Sequence, residues 1–433
     1  MYLALRTMPS TPLAVRQELA AVLRPEAIRA ASAADSVCGV PPDLVLEPAS
    51  EAELAAALCL ANDANLAVIP RGGGTKLAWG NSPKRADIVL STARLNKIIE
   101  HVWSDLTVSV EAGCTVHTLQ TALAQHGQRL AIDPLWPERA TIGGLLSTND
   151  SGTLRLRYGS LRDLVLGVTL ALPDGTLASS GGKVVKNVAG YDLPKLVTGA
   201  LGTLAVITRA VFRLHPLPHR SKTLTLTPRD LRTMQKLLSN VQDSHFAHTA
   251  LQARTAHNAE PAVDILFDGT EAGIAAQEEQ LRKIAGATRV NQAAPSVWES
   301  AREQWTMPDA QDGAGSVAIA KITALPAAVA DAVGRIARSS ALHGARWQLT
   351  MQATGIGSLR LDGPPENLRT VLAALREELQ RAAGSLVLLH RPAELLSMDT
   401  WGEPGDALPL MRALKMQFDP RNTLNPGRFA GGI

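Results

Sequence analysis

The spacing of hydrophobic residues changes along the chain and divides it into segments of different character. Residues 1–40 are rich in alanine and have the spacing of helices. From residue 41 to 218, short apolar runs alternate with glycines, which predicts many short strands and few long helices. These runs are Leu66–Pro70, Ile88–Leu90, Thr107–Val110 and Val165–Leu172. Closely spaced prolines in Leu214–Pro218 end regular structure, so we place a domain boundary there.

Between residues 219 and 404 the pattern is that of a repeated unit. Alternation in Lys222–Thr227 predicts a strand, and Thr227-Pro228 predicts the start of a helix. Two strands and a second helix follow, and then the whole succession returns. The predicted elements are Thr249–Arg254, Ala262–Phe267, Glu271–Ala285, Val317–Ile322, a helix from Pro326, Arg346–Gln352, Ser358–Leu361, a helix with apolar residues from Leu368 to Leu379, and Leu386–Leu389.

This succession predicts a duplicated ferredoxin-like βαββα(β) unit that forms one antiparallel sheet with helices on one face. The fold class is therefore α+β, with four segments. They are an N-terminal helical segment (1–40), a Gly-rich domain in two lobes (41–218), a cap (219–404) and a C-terminal tail (405–433) made of a short helix and a loop.

Composition narrows the class of protein. A chain of 433 residues favours two or more domains, and its net charge of +3 gives no basic surface for nucleic acid. Its 3 cysteines form no CxxC pair, no disulfide framework and no set of four thiolates for an iron–sulfur cluster. The N-terminus does not have the pattern of a signal peptide, and the longest apolar run, Leu164–Leu172, is too short to span a membrane. We therefore expect a cytoplasmic protein.

Three glycine-containing loops carry the candidate chemistry. An apolar strand leads into Gly72, Gly73 and Gly74, and such a loop can turn its amide N–H groups towards a pyrophosphate. This loop matches neither GxGxxG nor the Walker A pattern, so a plain Gly-rich turn is the alternative interpretation. Small and hydroxyl-bearing residues are dense again from Thr141 to Gly152, and a third loop precedes the strand Ala205–Thr208. Three such loops in one domain favour a ligand-binding site.

Four motifs follow one another along the chain: Pro-Arg-Gly-Gly-Gly-Thr, Thr-Ile-Gly-Gly, Leu-Gly-Thr-Leu and, near the C-terminus, Asn-Pro-Gly. Their order resembles that of the vanillyl-alcohol-oxidase/p-cresol-methylhydroxylase (VAO/PCMH) flavoprotein family. The segment Gly181–Leu193 is similar to the FAD-binding E subunits of bacterial glycolate oxidases. The resemblance covers most of residues 41–218 and the tail. Across 222–400 it rests only on the length of the segment and the succession of its predicted strands and helices. It implies a PCMH-type FAD-binding domain. Because Thr75-Lys76 stands where covalent-flavin members place a histidine, it implies non-covalent FAD.

The resemblance also implies which residues bind FAD. Arg71–Lys76 would hold the pyrophosphate, Thr141–Gly144 would continue the cradle, and the loop at Asn425 would return to the flavin ring. The implied cofactor-binding residues are Pro70, Arg71, Gly72, Gly73, Gly74, Thr75, Lys76, Pro134, Thr141, Ile142, Gly143, Gly144, Ser147, Asn149, Ser151, Gly152, Tyr158, Gly202, Val206 and Asn425.

The reaction implied by the resemblance is oxidation of glycolate, a 2-hydroxy acid, to glyoxylate, with hydride transfer to FAD. The implied partners are a larger FAD-containing catalytic subunit and an iron–sulfur subunit that accepts the electrons, and membrane association would come only through this complex. Two alternatives stay open: a self-sufficient 2-hydroxy-acid dehydrogenase, and a non-catalytic assembly subunit with structural FAD.

The substrate site is less clear from the sequence. Family members that oxidise 2-hydroxy acids by themselves carry a His-x-Gly-Asp-Gly-Asn-like segment with metal-binding histidines, and no such segment exists here, so no metal site is predicted. His390 and Arg391, at the end of the last cap strand, are the candidate catalytic pair. An imidazole can take the hydroxyl proton while a guanidinium holds the carboxylate. A polar strand end is the alternative interpretation. Lys183 and Lys186 would either offset negative charge near the flavin or be a solvated pair.

Overall fold

The computed structural model describes residues 11–183, 190–307 and 315–433. Over these residues the protein has two main sheets in its first half and one large sheet in its second. Residues 184–189, which include Lys186 and the middle of the Gly181–Leu193 motif, lie outside the described residues. Within the described parts of the chain, no helix combines the length and the apolar character needed to cross a membrane.

The first lobe contains α1 (Leu13–Val22), β1 (Ile28–Ala30), β2 (Leu44–Leu46), α2 (Glu51–Asp63), β3 (Val68–Arg71) and β4 (Ile88–Ser91). The strand order is β1-β2-β4-β3, with β4 parallel to both β2 and β3. Helix α2 is capped by Ser50, whose side chain accepts a hydrogen bond from the Glu53 N–H. Its buried residues Leu54, Leu58 and Ala61 pack on this sheet, because their spacing places them on one helix face.

The prediction of a separate helical segment over residues 1–40 is wrong in part. Helix α1 exists, but Ile28–Ala30 is a strand that pairs antiparallel with β2. Leu19 and Ala27 lie in the core of the first lobe together with residues of α2. The alanine-rich composition favoured helix, and the tertiary pairing with β2 overrides that local preference.

The second lobe contains β5 (Ile98–Val102), β6 (Thr107–Glu111), α3 (Val116–Ala124), β7 (Gln128–Arg129), α4 (Ile142–Thr148), α5 (Arg155–Tyr158), α6 (Leu161–Leu164), β8 (Val165–Ala171), β9 (Leu177–Gly181), α7 (Leu193–Val197), β10 (Val206–Arg213) and β11 (His215–Pro216). Its sheet is antiparallel in the order β5-β6-β10-β8-β9, and the short strands β7 and β11 pair separately. β11 falls in the predicted boundary segment Leu214–Pro218.

The cap contains β12 (Arg220–Thr227), α8 (Leu231–Gln242), β13 (His248–Ala256), β14 (Ala262–Gly269), α9 (Glu271–Ala285), β15 (Arg289–Gln292), α10 (Ser300–Glu303), β16 (Ser316–Thr323), α11 (Val329–Leu342), β17 (Arg346–Gln352), β18 (Ile356–Gly363), α12 (Pro365–Arg381) and β19 (Ser385–His390). Helix α8 begins at Leu231, and not at Thr227-Pro228 as predicted. Thr227 still belongs to β12, and the Asp230 side chain caps the helix by accepting a hydrogen bond from the Thr233 N–H at 2.7 Å.

The predicted duplication is confirmed by the cap sheet, whose order is β15-β12-β14-β13-β17-β18-β16-β19. Each half supplies four strands with two helices between them, and the halves meet where β13 pairs antiparallel with β17. The four long helices pack on one face of this sheet in a single apolar core. The opposite face carries polar residues such as Lys321, Gln352 and Ser358, which line a cavity shared with the second lobe.

The tail contains α13 (Leu408–Phe418) and then returns to the first lobe. The Val68 N–H donates to the Thr423 carbonyl at 2.7 Å, and the Asn425 N–H donates to the Val68 carbonyl at 3.0 Å. These bonds place residues 423–425 beside β3, the strand that leads into the triple glycine.

Candidate functional site

Most of the residues predicted to bind the cofactor line one narrow cleft. The loop after β3, the start of α4, the turn before β10 and the tail meet there, although they are far apart in the chain. The predicted residues on its walls are Pro70, Arg71, Gly72, Gly73, Gly74, Thr75, Lys76, Thr141, Gly143, Gly144, Ser147, Gly202, Val206 and Asn425.

The triple glycine lies against the backbone that precedes α4. A Cβ atom on Gly73 would stand 1.8 Å from the Arg139 carbonyl oxygen, and one on Gly72 would stand 2.0 Å from Oγ1 of Thr141. Real side chains do not approach this closely, so both positions require glycine. The amide N–H groups of Gly72 and Gly73 have no acceptor among the described residues. Thr141 Oγ1 is buried and also has no hydrogen-bond partner there.

This donor set fits a pyrophosphate. Free amide N–H groups and an unpartnered hydroxyl converge on a narrow cleft, and anions are bound in proteins by such concave groups of backbone donors. Ile142 is an exception among the predicted residues. Its side chain lies in the core of the second lobe, and its N–H donates to the Cys114 carbonyl at 3.0 Å. Ile142 therefore supports α4 and offers no group to a ligand.

The Arg71 side chain is engaged within the protein. Its guanidinium donates to Asp35 Oδ1 at 2.7 Å, and the same carboxylate accepts two hydrogen bonds from Arg29, each 2.8 Å long. These arginines, together with Ser32, lower the pKa of Asp35 well below its usual range. Asp35 thus fixes the end of β3 from outside the cleft. Sequence reasoning missed it, because nothing in its local pattern marks it.

Two residues of the tail connect the loops around the cleft. The Asn425 side-chain amide donates to the Leu201 carbonyl at 2.6 Å, and its backbone is left-handed with φ 46°. Arg428 is buried and donates to the Trp79 carbonyl at 2.6 Å. Sequence reasoning did not assign Arg428 a role. The signal that could have found it is its position directly after Asn-Pro-Gly.

A second, larger cavity lies between the second lobe and the polar face of the cap sheet. The remaining predicted residues Pro134, Asn149, Ser151 and Gly152 line it. The Gln352 side chain of the cap donates to the Gly152 carbonyl at 3.1 Å, so the cap directly contacts the loop that contains Gly152 in the second lobe.

Lys76 lies where the cleft and the cavity adjoin. Its Nζ is 3.1 Å from Oδ2 of Asp150, without the alignment of a hydrogen bond. The ammonium also lies 5.6 Å and 5.7 Å from the ring centres of Trp79 and Trp136. Burial between two aromatic rings and one carboxylate keeps this cation at a fixed point between the two spaces.

Asp133 is a half-buried carboxylate on the cavity wall that sequence reasoning did not identify. It accepts hydrogen bonds from the Thr153 N–H and the Leu154 N–H at 2.9 Å each, and from the Thr153 hydroxyl. Burial nevertheless raises the pKa of Asp133 to about 6, with a smaller contribution from Asp150. Gly152 packs so closely that a Cβ there would stand 2.1 Å from the Asp133 carbonyl oxygen. Asp133 therefore positions the loop 150–154 on the cavity wall.

A pH dependence of stability follows from Asp133. Because its pKa rises from 3.8 to about 6 on folding, the native state binds this proton more tightly than the unfolded chain. Its contribution to stability is therefore largest below about pH 4 and falls by about 3 kcal/mol as the pH rises through 6. We expect the free energy of unfolding of the wild type minus that of Asp133→Asn, measured by urea unfolding, to fall over this range, because Asn does not titrate.

The exposed Asp174 supplies the control for this measurement, because its carboxylate caps only a surface turn. Asp174→Asn should show no comparable change between pH 4 and 7. A wild-type to Asp133→Asn difference that grew with pH would contradict the assignment.

The structure does not support His390 and Arg391 as the catalytic pair. The Arg391 guanidinium is buried and donates to three backbone carbonyls, those of Gly80, Leu396 and Met398. It therefore has no free edge for a substrate carboxylate. The His390 ring packs against Trp305 at 6.1 Å, and neither residue of the pair lines the cleft or the cavity. Burial lowers the pKa of His390.

Tyr158 also lies outside both spaces. Its hydroxyl accepts a hydrogen bond from Arg129 at 3.0 Å, and Arg129 in turn forms an ion pair with Asp268 of the cap at 3.1 Å. Tyr158 thus belongs to the contact between the second lobe and the cap, and is not a cofactor ligand in this geometry. Lys183 forms an exposed ion pair with Glu100, and Lys186 lies outside the described residues.

No group of three or more His, Cys, Asp or Glu side chains within residues 11–183, 190–307 and 315–433 is arranged to hold a metal ion.

Two family models match the chain. One describes an FAD binding domain and covers residues 42–181, and the other describes the C-terminal domain of FAD linked oxidases and covers residues 401–429. The first match contains the triple glycine and α4, and the second contains Asn425. The predicted FAD cofactor and the VAO/PCMH-type fold are confirmed.

Two curated relatives match over nearly the whole chain. The glycolate oxidase subunit GlcD of Bacillus subtilis is 26% identical over 423 residues, which cover 89% of this chain and 88% of the relative. A D-2-hydroxyglutarate dehydrogenase of Xanthomonas citri pv. viticola is also 26% identical, over 426 residues and 88% of each chain. The resemblance to subunits of glycolate oxidase, drawn from motifs, is confirmed by the first of these matches.

Solved structures agree on the fold. An alkyldihydroxyacetonephosphate synthase superposes with a TM-score of 0.75 at 18% identity, covering 96% of this chain and 85% of the other. At this level of identity the similarity concerns the fold alone.

Proposed function

We propose that this chain, an FAD-linked oxidoreductase, oxidises a small 2-hydroxy acid to the 2-oxo acid as a subunit of a glycolate-oxidising complex. The observation that carries the proposal is the pair of adjoining spaces: a cleft with free backbone donors, and a cavity closed by the polar face of the cap. The similarity to a glycolate oxidase subunit and to a D-2-hydroxyglutarate dehydrogenase supports 2-hydroxy acids as the substrate class.

The residues of this chain supply binding, position and exclusion of water. The amide groups of Gly72–Gly74 and the Thr141 hydroxyl would hold the pyrophosphate, and the Asn425 loop would fix its surroundings. Lys76 would stand at the point where cofactor and substrate meet. Bound FAD supplies the acceptor for the α-hydrogen, taken as hydride, while the protein contributes orientation and electrostatics. Leu135, Trp79 and Leu389 line the cavity and exclude water from it.

We assign the chain the role of an E-like subunit that works with partners. The Gly181–Leu193 motif and the lack of a His-x-Gly-Asp-Gly-Asn-like segment in the sequence support this assignment. Three cysteines cannot ligate an iron–sulfur cluster, so the electrons would leave through an iron–sulfur subunit. The larger FAD-containing subunit would carry most of the turnover.

Anaerobic flavin reduction tests this proposal. The full complex and the isolated chain are mixed with glycolate, and flavin absorbance is followed with time. We expect the flavin to bleach rapidly in the complex and slowly in the isolated chain. Rapid bleaching of the isolated chain would instead identify a self-sufficient dehydrogenase. Full turnover of a complex in which this chain alone lacks FAD would identify an assembly subunit. D-2-hydroxyglutarate, tested in parallel, separates substrates with one carboxylate from those with two.

A further inference from the structure

Two cations line the cavity and form no ion pair within the described part of the chain. Lys321 projects from β16 in the cap, and Arg155 lies at the start of α5 in the second lobe. Neither forms a hydrogen bond or an ion pair with any of the described residues. They come from opposite walls of the cavity, and the charge of Arg155 contributes to lowering the pKa of Lys321, while Asp150 acts in the opposite direction.

The other charged groups on these walls are already engaged. Asp150 is paired with Lys76 at 3.1 Å, and Asp133 accepts three hydrogen bonds from its own loop. Arg302 lies 3.6 Å from the carboxylate of Glu299. Lys321 and Arg155 are therefore the two cations on these walls that no carboxylate of the described residues contacts directly, although Asp150 and Asp163 attract Arg155 from farther away.

The positive charges of Lys321 and Arg155 are costly in free energy when no ligand is bound. A cation removed from water loses hydration energy and regains it only from an anion or from hydrogen-bond acceptors. Burial lowers the pKa values of both Lys321 and Arg155, which is the direction expected for cations without partners. A bound anion would relieve this cost, and a carboxylate offers two oxygens that suit a guanidinium and an ammonium together.

We propose that Lys321 and Arg155 together bind the carboxylate of the substrate, so that the cap and the second lobe each contribute one half of the anion site. This inference rests on the proposed function, because it places a carboxylic acid in the cavity. It also assigns to these residues the role that the sequence suggested for Arg391.

The test separates carboxylate binding from turnover. Oxalate carries no hydrogen on carbon and cannot lose a hydride, so its binding is measured by perturbation of the flavin absorbance of the FAD-loaded protein. Lys321→Met and Arg155→Met should each weaken oxalate binding by about 10- to 100-fold, the value of a charge-assisted hydrogen bond. In the isolated chain, KM for flavin reduction by glycolate should rise by a similar factor while the maximal rate of reduction changes little, because the contact is present before and during hydride transfer.

Arg157→Met is the matched control, since this arginine lies on the same short helix and is exposed. It should bind oxalate as the wild type does, and Lys321→Arg should restore most of the affinity lost in Lys321→Met. Flavin content is measured first, and Lys321→Gln and Arg155→Gln replace any methionine variant that loses FAD.

Unchanged oxalate affinity in both Lys321 and Arg155 variants would overturn the inference. If oxalate binding depends on the two cations but no 2-hydroxy acid reduces the flavin, the anion site stands and the proposed function fails. If glycolate reduces the flavin with equal KM in wild type and variants, the proposed function stands and the anion site fails.

Discussion

Replacing Gly73 with alanine is expected to remove FAD from the protein. The new Cβ would overlap the Arg139 carbonyl oxygen, 1.8 Å away, and neither of these backbone segments can move without opening the cleft. Overpacking costs about 1–3 kcal/mol, and each backbone hydrogen bond lost to a charged phosphate costs about 1.5–3 kcal/mol. Together these losses correspond to FAD binding weaker by about 100- to 1,000-fold or more. Flavin content after gel filtration, followed by titration of the apoprotein with FAD, measures the effect.

Gly269 provides the control for this experiment. It ends β14 in the cap, a Cβ built there meets nothing within 4 Å, and its φ is not positive. Gly269→Ala should therefore keep its FAD. A Gly73→Ala protein that purified with a full complement of flavin would show that the triple glycine is not the phosphate cradle. The same variant, assembled into the complex, also tests whether FAD on this chain is needed for turnover.

The cofactor cleft could be predicted because its signals are local. A strand followed by three glycines, and a Thr-Ile-Gly-Gly segment, are visible in a few consecutive residues. What the sequence does not show is which backbone lies against Gly73, or that Asp35 holds Arg71. Those contacts join segments tens of residues apart, and no spacing rule connects them.

The cap shows the same division between local and non-local information. Periodicity predicted the duplicated unit and the apolar face of α12, whose residues Leu368, Leu372 and Leu375 are buried as expected. The order of the strands was not predictable, because each strand of an antiparallel sheet can pair with several others. The central β13–β17 pairing became visible only in the structure.

The substrate wall shows why the sequence favoured the His390–Arg391 pair although neither residue lines the cleft or the cavity. A His-Arg pair at a strand end is chemically suited to a 2-hydroxy acid, but the sequence does not reveal that carbonyls of other loops surround Arg391. Lys321 gave a signal that was overlooked. It is a lone charge inside the otherwise apolar strand Val317–Ile322. A charge in that position either forms an ion pair within the protein or is available to bind a charged ligand.

Replacing Lys415 with methionine is expected to destabilise the tail by about 3–5 kcal/mol, the cost of breaking a buried ion pair from one side. The Lys415 ammonium donates to the Thr203 and Leu424 carbonyls at 2.8 and 2.9 Å, and to Asp419 Oδ2 at 2.6 Å. Asp419 is fully buried, so in Lys415→Met its charge would lose its only cationic partner among the described residues. Urea unfolding measures the loss, and Lys236→Met, at an exposed lysine on α8, should change stability by less than about 0.5 kcal/mol.

The position of Lys415 also predicts how the loss will spread. Thr203 adjoins Gly202 in the turn before β10, and Leu424 adjoins Asn425, so one ammonium joins two of the segments that form the cleft. Lys415→Met should therefore weaken FAD binding as well as stability, and added FAD should recover part of the lost stability by mass action. Lower stability with unchanged FAD affinity would mean that the tail stabilises the fold without determining the geometry of the cleft. Since the Asn425 amide also bonds the Leu201 carbonyl, we expect the two effects to appear together.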